Sequence, residues 1–434
     1  MSKEIDINVE HLTRVEGHGN IILNSKNGNI QKLQWQVSEA PRFFEAMLRG
    51  RHYDELRTIT SRICGICSIG HSLASLKATE DALDLKITDQ TAVLRRLAIN
   101  AENMQSHILH VGYLAVPDLF GVGSVFPIAG SKNNDTLLKI VKLHRISNEM
   151  SDLICGRTTH PIRLVVGGFS MLPTEKQLLK LKGRLEEGLS VTKEVAESIL
   201  GVIGNLPDFE RKTEYIGLTS EEEYALYDGD ISSTDTGILK NYKDYREYMK
   251  EYVVPQSTAK YAKHKRDSYM VGALARFNLN SEQLHPISKE VAKLFDLKPI
   301  CYNPFMNNIA QVVEFVHNIE DSIIIIDNII DKGLEEEQPV KVKKKKGNGV
   351  GVVEVPRGIL VHDYTLDENG KCIKANCIIP TNQNHANIQK DMEEFAPKII
   401  DKPEKEIELN LEMLVRAYDP CISCSTHYLD VKFV

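Results

Sequence analysis

The chain has 434 residues, of which 42% are hydrophobic and 26% charged, with a formal net charge of -7 at pH 7. This is the composition of a globular protein with a sizeable core. The negative balance argues against broad binding to nucleic-acid phosphates, which needs a basic surface, and no run reaches the roughly 18 apolar residues of a membrane helix.

In chain order, the N-terminal MSKEIDINVE carries no apolar signal-peptide core, so a cytoplasmic location is expected. The first forty residues read as β. Asn27-Gly28 between two apolar runs marks a hairpin, and Leu33, Trp35 and Val37 alternate as one face of a strand. Past Pro41 the pattern turns helical. In SRICGICSIGHS, Cys64 and Cys67 form a CxxC pair. The stripe of Leu73, Leu76 and Leu83 predicts a helix starting just past Cys67, where a thiol ionises readily. Leu94, Leu97, Ala101, Met104, Ile108 and Val111 predict a long bundle helix. His107 and His110, one turn apart on it, are read as packing or hydrogen-bonding groups rather than a metal pair. Thr174 and Gln177 have capping-box spacing ahead of a stripe of Leu178, Leu181, Leu185 and Leu189. NNIAQVVEFVHNIEDSIIIIDNII predicts a third long helix. Glu335 to Gly349 runs from acids through lysines to glycines and reads as a solvated loop. A second β part follows, with a hairpin at Asn369-Gly370. No repeat or linker interrupts the pattern. The expected fold is α+β, mainly α: a long-helix bundle with two small β parts in one intertwined domain over residues 1–427.

Of eight cysteines, Cys421 and Cys424 form a second CxxC in AYDPCISCSTH. Four soft thiolates suit zinc, an iron-sulfur cluster or another thiophilic metal. A zinc ribbon keeps its pairs within about twenty residues, whereas these lie near opposite ends of the chain. On spacing alone, a zinc staple and a catalytic metal stand level. Cys155, Cys301 and Cys372 lack a partner at ligand spacing and read as small buried hydrophobes.

RICGIC with His71 and DPCISCSTH resemble the two metal-binding signatures of the large, catalytic subunit of nickel-iron hydrogenases. LTRVEGHG, PRFFEAMLRGR, GRTTHPIRLVVGG, NPFMNNIAQVVE and VPRGIL agree in type and order, so the resemblance spans residues 12 to 427. The short N-terminus, PRFFEA and VRAYDPCISC are most like the cytosolic bidirectional class. The resemblance implies a Ni-Fe centre whose iron carries carbon monoxide and cyanide. Cys64 and Cys421 would bind nickel, and Cys67 and Cys424 would bridge nickel and iron. His71 would hydrogen-bond Cys67. Glu16 would take protons from Cys421; without the resemblance it reads as an ion-pair partner of Arg14. Arg357 would stand over the open metal position, with Pro356, Pro380 and Thr381 around the iron's diatomic ligands. A Mg2+ would sit on Glu45, His427 and the carbonyl of Cys377. Ser106 stands where better-known members carry an aspartate.

The implied reaction is reversible oxidation of H2. No iron-sulfur ligand set remains in this chain, so electrons would pass to an iron-sulfur small subunit. From there they would reach NAD(P) or a similar soluble acceptor through diaphorase-type or other electron-transfer subunits. A maturation endopeptidase would remove residues 428–434 after His427. The alternatives are a membrane-bound energy-converting hydrogenase and a zinc-stapled structural subunit of a complex-I-like assembly.

Overall fold

Asn27 and Gly28 both adopt positive φ, 52° and 77°, the backbone that a two-residue hairpin of right-twisted strands requires. They join β2 (Gly19–Lys26) to β3 (Asn29–Val37), and β1 (Glu4–Val9) completes an antiparallel sheet in the order β1-β2-β3. The computed structural model describes residues 4–427; the expected removal of residues 428–434 lies outside the described residues.

Four of the five long helices ahead of the second β part form where the apolar stripes predict them, and the third, over 134–155, is one the sequence reading does not predict. The five are α1 (Ser68–Leu83), α2 (Asp89–Leu109), α3 (Asn134–Cys155), α4 (Glu175–Leu200) and α5 (Asn307–Lys332). Thr88 caps α2 by accepting from Thr91 N, and the Thr174–Gln177 capping box opens α4. Helices α2 to α5 pack on one another as the bundle, and α5 is buried on nearly every side over its first four turns. Beyond Leu109, α2 runs on into a π-turn, His110–Ala115.

The second β part is an antiparallel sheet of β4 (Gly347–Val355), β5 (Gly358–Leu366) and β6 (Cys372–Ile378), followed by α6 (Pro380–Ile399) and α7 (Glu404–Ala417). The glycines expected to end the charged loop belong instead to β4. Gly347, Gly349 and Gly351 share one face, and a Cβ on them would lie 2.0 Å from Ala82 O, 2.1 Å from Ala82 N and 2.1 Å from Ala74 O respectively. The match is geometric. Two strand residues advance about 6.6 Å and four helix residues about 6 Å. Glycines two apart therefore keep step with Ala74, Ala78 and Ala82, and α1 lies directly on the strand. Since α1 starts at Cys67, this contact sets where one CxxC pair stands. Gly351→Ala is expected to lower the thermal midpoint by about 5 °C or more, because overpacking against backbone has no flexible neighbour to give way. A differential scanning melt checks it.

The β content exceeds the two parts expected. A four-stranded sheet is built from Glu214–Thr219, Asp230–Ser233, Gly237–Ile238 and Tyr269–Met270, and the described residues also form two-stranded ribbons. Its strands are short, and residues 214 to 218 are all buried. A strand covered on both faces shows no alternation to read.

Candidate metal centre

Cys67 is the N-cap residue of α1, and Cys64 precedes it in the turn leading in. At the other end of the chain, α7 delivers Cys421 as the N-cap of a single helical turn, Ile422–Ser425, which carries Cys424. The ends are tied by a parallel bridge between Glu16 and Cys421: Glu16 N donates to Pro420 O at 3.4 Å and Ile422 N to Glu16 O at 2.8 Å. Arg42 adds backbone and side-chain hydrogen bonds to Thr426 O and Ser423 O.

These ties bring all four sulfurs within 4.8 Å of one another, each buried. Cys64 and Cys421 are 3.3 Å apart, Cys67 and Cys424 3.4 Å, and Cys421 and Cys424 3.1 Å. These separations are well beyond the roughly 2.05 Å of a disulfide. They are close to the about 3.3 to 3.8 Å expected between thiolates sharing a metal at about 2.3 Å. Hydrogen bonds from the other three cysteines hold the Cys64 thiol well below its usual range, whereas burial pushes Cys421 and Cys424 well above theirs. A second buried thiolate here needs a cation, so the donor set fits a soft metal.

Glu16 Oε2 accepts from Cys421 Sγ at 3.1 Å and from Ser423 N at 3.0 Å. Arg14 turns the other way, pairing with Asp118 at 2.5 Å. Glu16 is partly exposed, so its carboxyl links a buried sulfur to the surface of the chain.

Arg357 lies at the two-residue turn between β4 and β5, beside Pro356. It is buried and its guanidinium is clamped by Asp419, with Nε on the backbone O at 2.5 Å and Nη2 on Oδ1 at 2.7 Å, while Nη1 reaches Ser106 Oγ at 3.4 Å. Burial opposes this charge, yet Asp419 and the cysteine sulfurs outweigh it and keep the group cationic. Arg276 secures the turn by donating to Val355 O at 2.9 Å and Pro356 O at 3.1 Å, with its own charge met by Glu314 and Glu354. Pro380 opens α6, and the next residue, Thr381, accepts from Cys421 N at 3.1 Å.

His71 differs from expectation in its partner. Its Nε2 lies 4.0 Å from Cys424 Sγ, not against Cys67. Cys67 is met by the backbone of that turn, His71 N to Cys67 O at 3.1 Å, and the imidazole reaches across the site. Burial pushes its pKa down to about 3, so the ring is neutral.

Glu45, Cys377 and His427 also converge. His427 Nε2 is 2.8 Å from Cys377 O and 3.4 Å from Glu45 Oε1. Neighbouring ligands on an octahedral Mg2+ lie about 3 Å apart, so the triad fits the ion in size. Burial opposes ionisation of Glu45, but the hydrogen bond and charge of His427 and the Cys377 N–H bring its pKa below the usual value.

Several site residues were not read from the sequence. Asp419, in YDPC, holds Arg357 and accepts from Gln311 at 3.0 Å. Cys67 offers no side-chain cap to α1. Glu102 of α2 supplies it, accepting from Ile69 N at 2.7 Å and Gly70 N at 3.0 Å, and burial pushes its pKa up to about 8. The available signal was a carboxylate one residue past Ala101 on a buried stripe. His107 and His110 are hydrogen-bonded, as read, to Glu314 at 2.5 Å and to Gln311 at 2.6 Å. Cys155 and Cys372 are buried and Cys301 half-buried, all outside the cluster.

A family profile described as nickel-dependent hydrogenase matches residues 42–134 and 217–427. Sulfhydrogenase 1 subunit alpha of Pyrococcus furiosus is 32% identical over 428 residues, covering 98% of both chains. Sulfhydrogenase 2 subunit alpha of the same organism is 31% identical over 424 residues, covering 98% of this chain and 99% of that one. Among solved structures, an NAD+-reducing nickel-iron hydrogenase in its H2-reduced state superposes with a TM-score of 0.86 at 25% identity, over 97% of this chain and 99% of the other. The nickel-iron-selenium hydrogenase of Desulfomicrobium baculatum shares the fold, with a TM-score of 0.79 at 22% identity over 98% and 100%.

Proposed function

Since the chain belongs to the nickel-dependent hydrogenase family as a catalytic large subunit, we propose that it interconverts H2 with protons and electrons at a Ni-Fe centre held by Cys64, Cys67, Cys421 and Cys424. In this reading, carbon monoxide and cyanide complete the iron. When bound, the centre supplies heterolytic cleavage of H2. The contact that carries the reading is Glu16 on Cys421 at 3.1 Å within a buried four-cysteine cluster. That geometry puts a proton acceptor in reach of one ligand sulfur and of solvent.

The chain's residues then have separable tasks. Cys64, Cys67, Cys421 and Cys424 would hold the Ni-Fe centre, Cys64 and Cys421 as ligands of nickel and Cys67 and Cys424 as ligands shared with iron. Glu16 moves protons from the Cys421 sulfur outward. Arg357, held rigid by Asp419, presents a fixed positive charge at the site. Thr381 accepts from Cys421 N, which leaves its hydroxyl proton for a cyanide nitrogen, with Pro356 and Pro380 as the apolar wall. The four clustered cysteines are committed to the metal, so electrons leave through an iron-sulfur small subunit. They pass to NAD(P) or a similar soluble acceptor, a reading supported by the likeness to the NAD+-reducing enzyme. No helix of the described residues is long and apolar enough to cross a membrane, and a cytoplasmic hetero-oligomer is the assembly proposed. An endopeptidase would trim the chain after His427, which is wholly buried beside the centre. The purified complex is expected to contain an iron-sulfur subunit and to reduce NAD(P)+ with H2; a complex that reduces only artificial dyes overturns the acceptor.

Mg2+ on Glu45, His427 and Cys377 O is expected to staple the C-terminal segment to β6. Glu45→Gln should lose the magnesium found by elemental analysis. It should also lower stability most at neutral pH: the folded pKa of Glu45 is depressed, so its contribution is present above pH 4.5 and fades as pH falls through the folded value. Urea midpoints measured at pH 7 and pH 4 check the sign.

A further inference from the structure

Polar residues of α2 and α5 face each other in step along one buried seam of the bundle. Asn100 Nδ2 donates to Asp321 Oδ2 at 2.7 Å, and His107 Nε2 meets Glu314 Oε2 at 2.5 Å. His110, in the π-turn, meets Gln311 Oε1 at 2.6 Å. Every step forward on α2 is matched by an equal step back on α5, the mark of an antiparallel pair. Asn103, three on from Asn100, therefore stands opposite Asn318, three back from Asp321. At the outer end, the partly exposed Arg96 pairs with Asp321 at 3.0 Å and Glu223 at 2.6 Å. At the inner end, Gln311 donates to Asp419, which holds Arg357.

The Asn103–Asn318 rung differs from the others. Both residues are at 0% exposure and His107 is at 1%. Among the described residues, neither the oxygen nor the nitrogen of either amide has a hydrogen-bond partner, and His107 Nδ1 has none either. His107 lies one turn on from Asn103, and helix side chains lean towards the N-terminus, which carries its ring towards Asn103. The residues beside them in sequence, Ala101, Met104, Phe315 and Ile319, are buried hydrophobes whose side chains offer no hydrogen bond.

Buried side-chain amides are rarely left unpaired, because stranding one costs more than ordering a small molecule against it. The chemistry of the rung selects that molecule. Each amide presents a donor and an acceptor together. A cation is served by the oxygens but repelled by the two NH2 groups, and an apolar guest is served by neither. Water gives two protons and takes two.

We propose that the α2–α5 seam binds a water molecule between Asn103 and Asn318, with His107 Nδ1 as its third partner. Three hydrogen bonds is the usual complement of a buried water. Since water both donates and accepts, the site is the same for either ring tautomer of His107. It closes the rung that the two amides do not close themselves, next to the His107–Glu314 pair. The site does not rest on the function proposed above.

A crystal structure of the full chain, at a resolution that shows ordered water, tests this. The expected result is a solvent peak within about 2.7 to 3.2 Å of an amide atom of both asparagines. A direct Asn103–Asn318 hydrogen bond, or a peak that reaches only one of them, overturns the proposal. Thermal melts of Asn103→Leu, Asn318→Leu and the double variant test the sharing. Each single change strands the opposite amide and should lower the midpoint by about 1 to 3 °C. The double variant replaces both amides and the water with apolar volume, so it should melt above both singles and lose the peak. A double variant that melts below both singles overturns the shared site. Where a variant fails to fold, the peak in the wild-type chain decides.

Discussion

Replacing Cys67 with serine is expected to strip nickel from the purified chain and abolish hydrogen turnover, while Cys155→Ser leaves nickel in place. Both cysteines are buried in the same core cluster, so each substitution exchanges a thiol for a hydroxyl in a similar apolar setting. They differ in company. Cys67 lies 3.4 Å from Cys424 within the four-sulfur group, whereas Cys155 belongs to no such group and burial pushes its thiol up beyond the range of useful ionisation. A serine hydroxyl does not ionise at neutral pH and is hard where the metal is soft, so one ligand is lost outright. Nickel per chain by elemental analysis, with hydrogen uptake on the same samples, separates the two. Equal nickel in both variants would mean that the sulfurs meet without holding a metal.

Glu16→Gln is expected to reduce hydrogen turnover by about 10²- to 10⁴-fold, the contribution typical of a positioned proton-transfer group, with nickel content unchanged. Glutamine has the same shape and its amide oxygen can accept from Ser423 N, so the bridge between the chain ends survives. What it lacks is a carboxyl able to take a proton from Cys421 Sγ, 3.1 Å away. Arg14 is not a substitute partner, because it is spent on Asp118 and Leu114 O. Exchange between H2 and D2O, which needs protons to leave the site, should fall with turnover, while exchange of spin isomers of H2 at the metal continues. Loss of both, with loss of nickel, would instead assign Glu16 a structural role.

How much of this was legible in the sequence depends on where each residue's partner lies. The CxxC pairs were readable because ligand spacing is local, and four of the five long helices ahead of the second β part because a stripe repeats over many turns; the helix over 134–155 was not read. The Thr174–Gln177 cap and the Asn27-Gly28 turn were readable for the same reason. Asp419, Glu102 and Arg276 were not. Each is an ordinary charged residue whose meaning comes from a group far along the chain: Arg357, the Ile69 and Gly70 amides, and the Pro356 carbonyl. His71 was placed on the wrong sulfur because one helical turn from Cys67 is a local argument, whereas Cys424 reaches it from the other end of the chain. Gly347 and Gly349 looked like loop punctuation because their partners, the backbone of Ala78 and Ala82, leave no mark on the neighbouring sequence.

The account stands most directly on the metal content of the purified, assembled protein, measured together with its infrared spectrum. Nickel and iron at stoichiometric levels, with bands of metal-bound carbon monoxide and cyanide, are the predicted result. Stoichiometric zinc without nickel would contradict it and leave the four sulfurs as a structural staple.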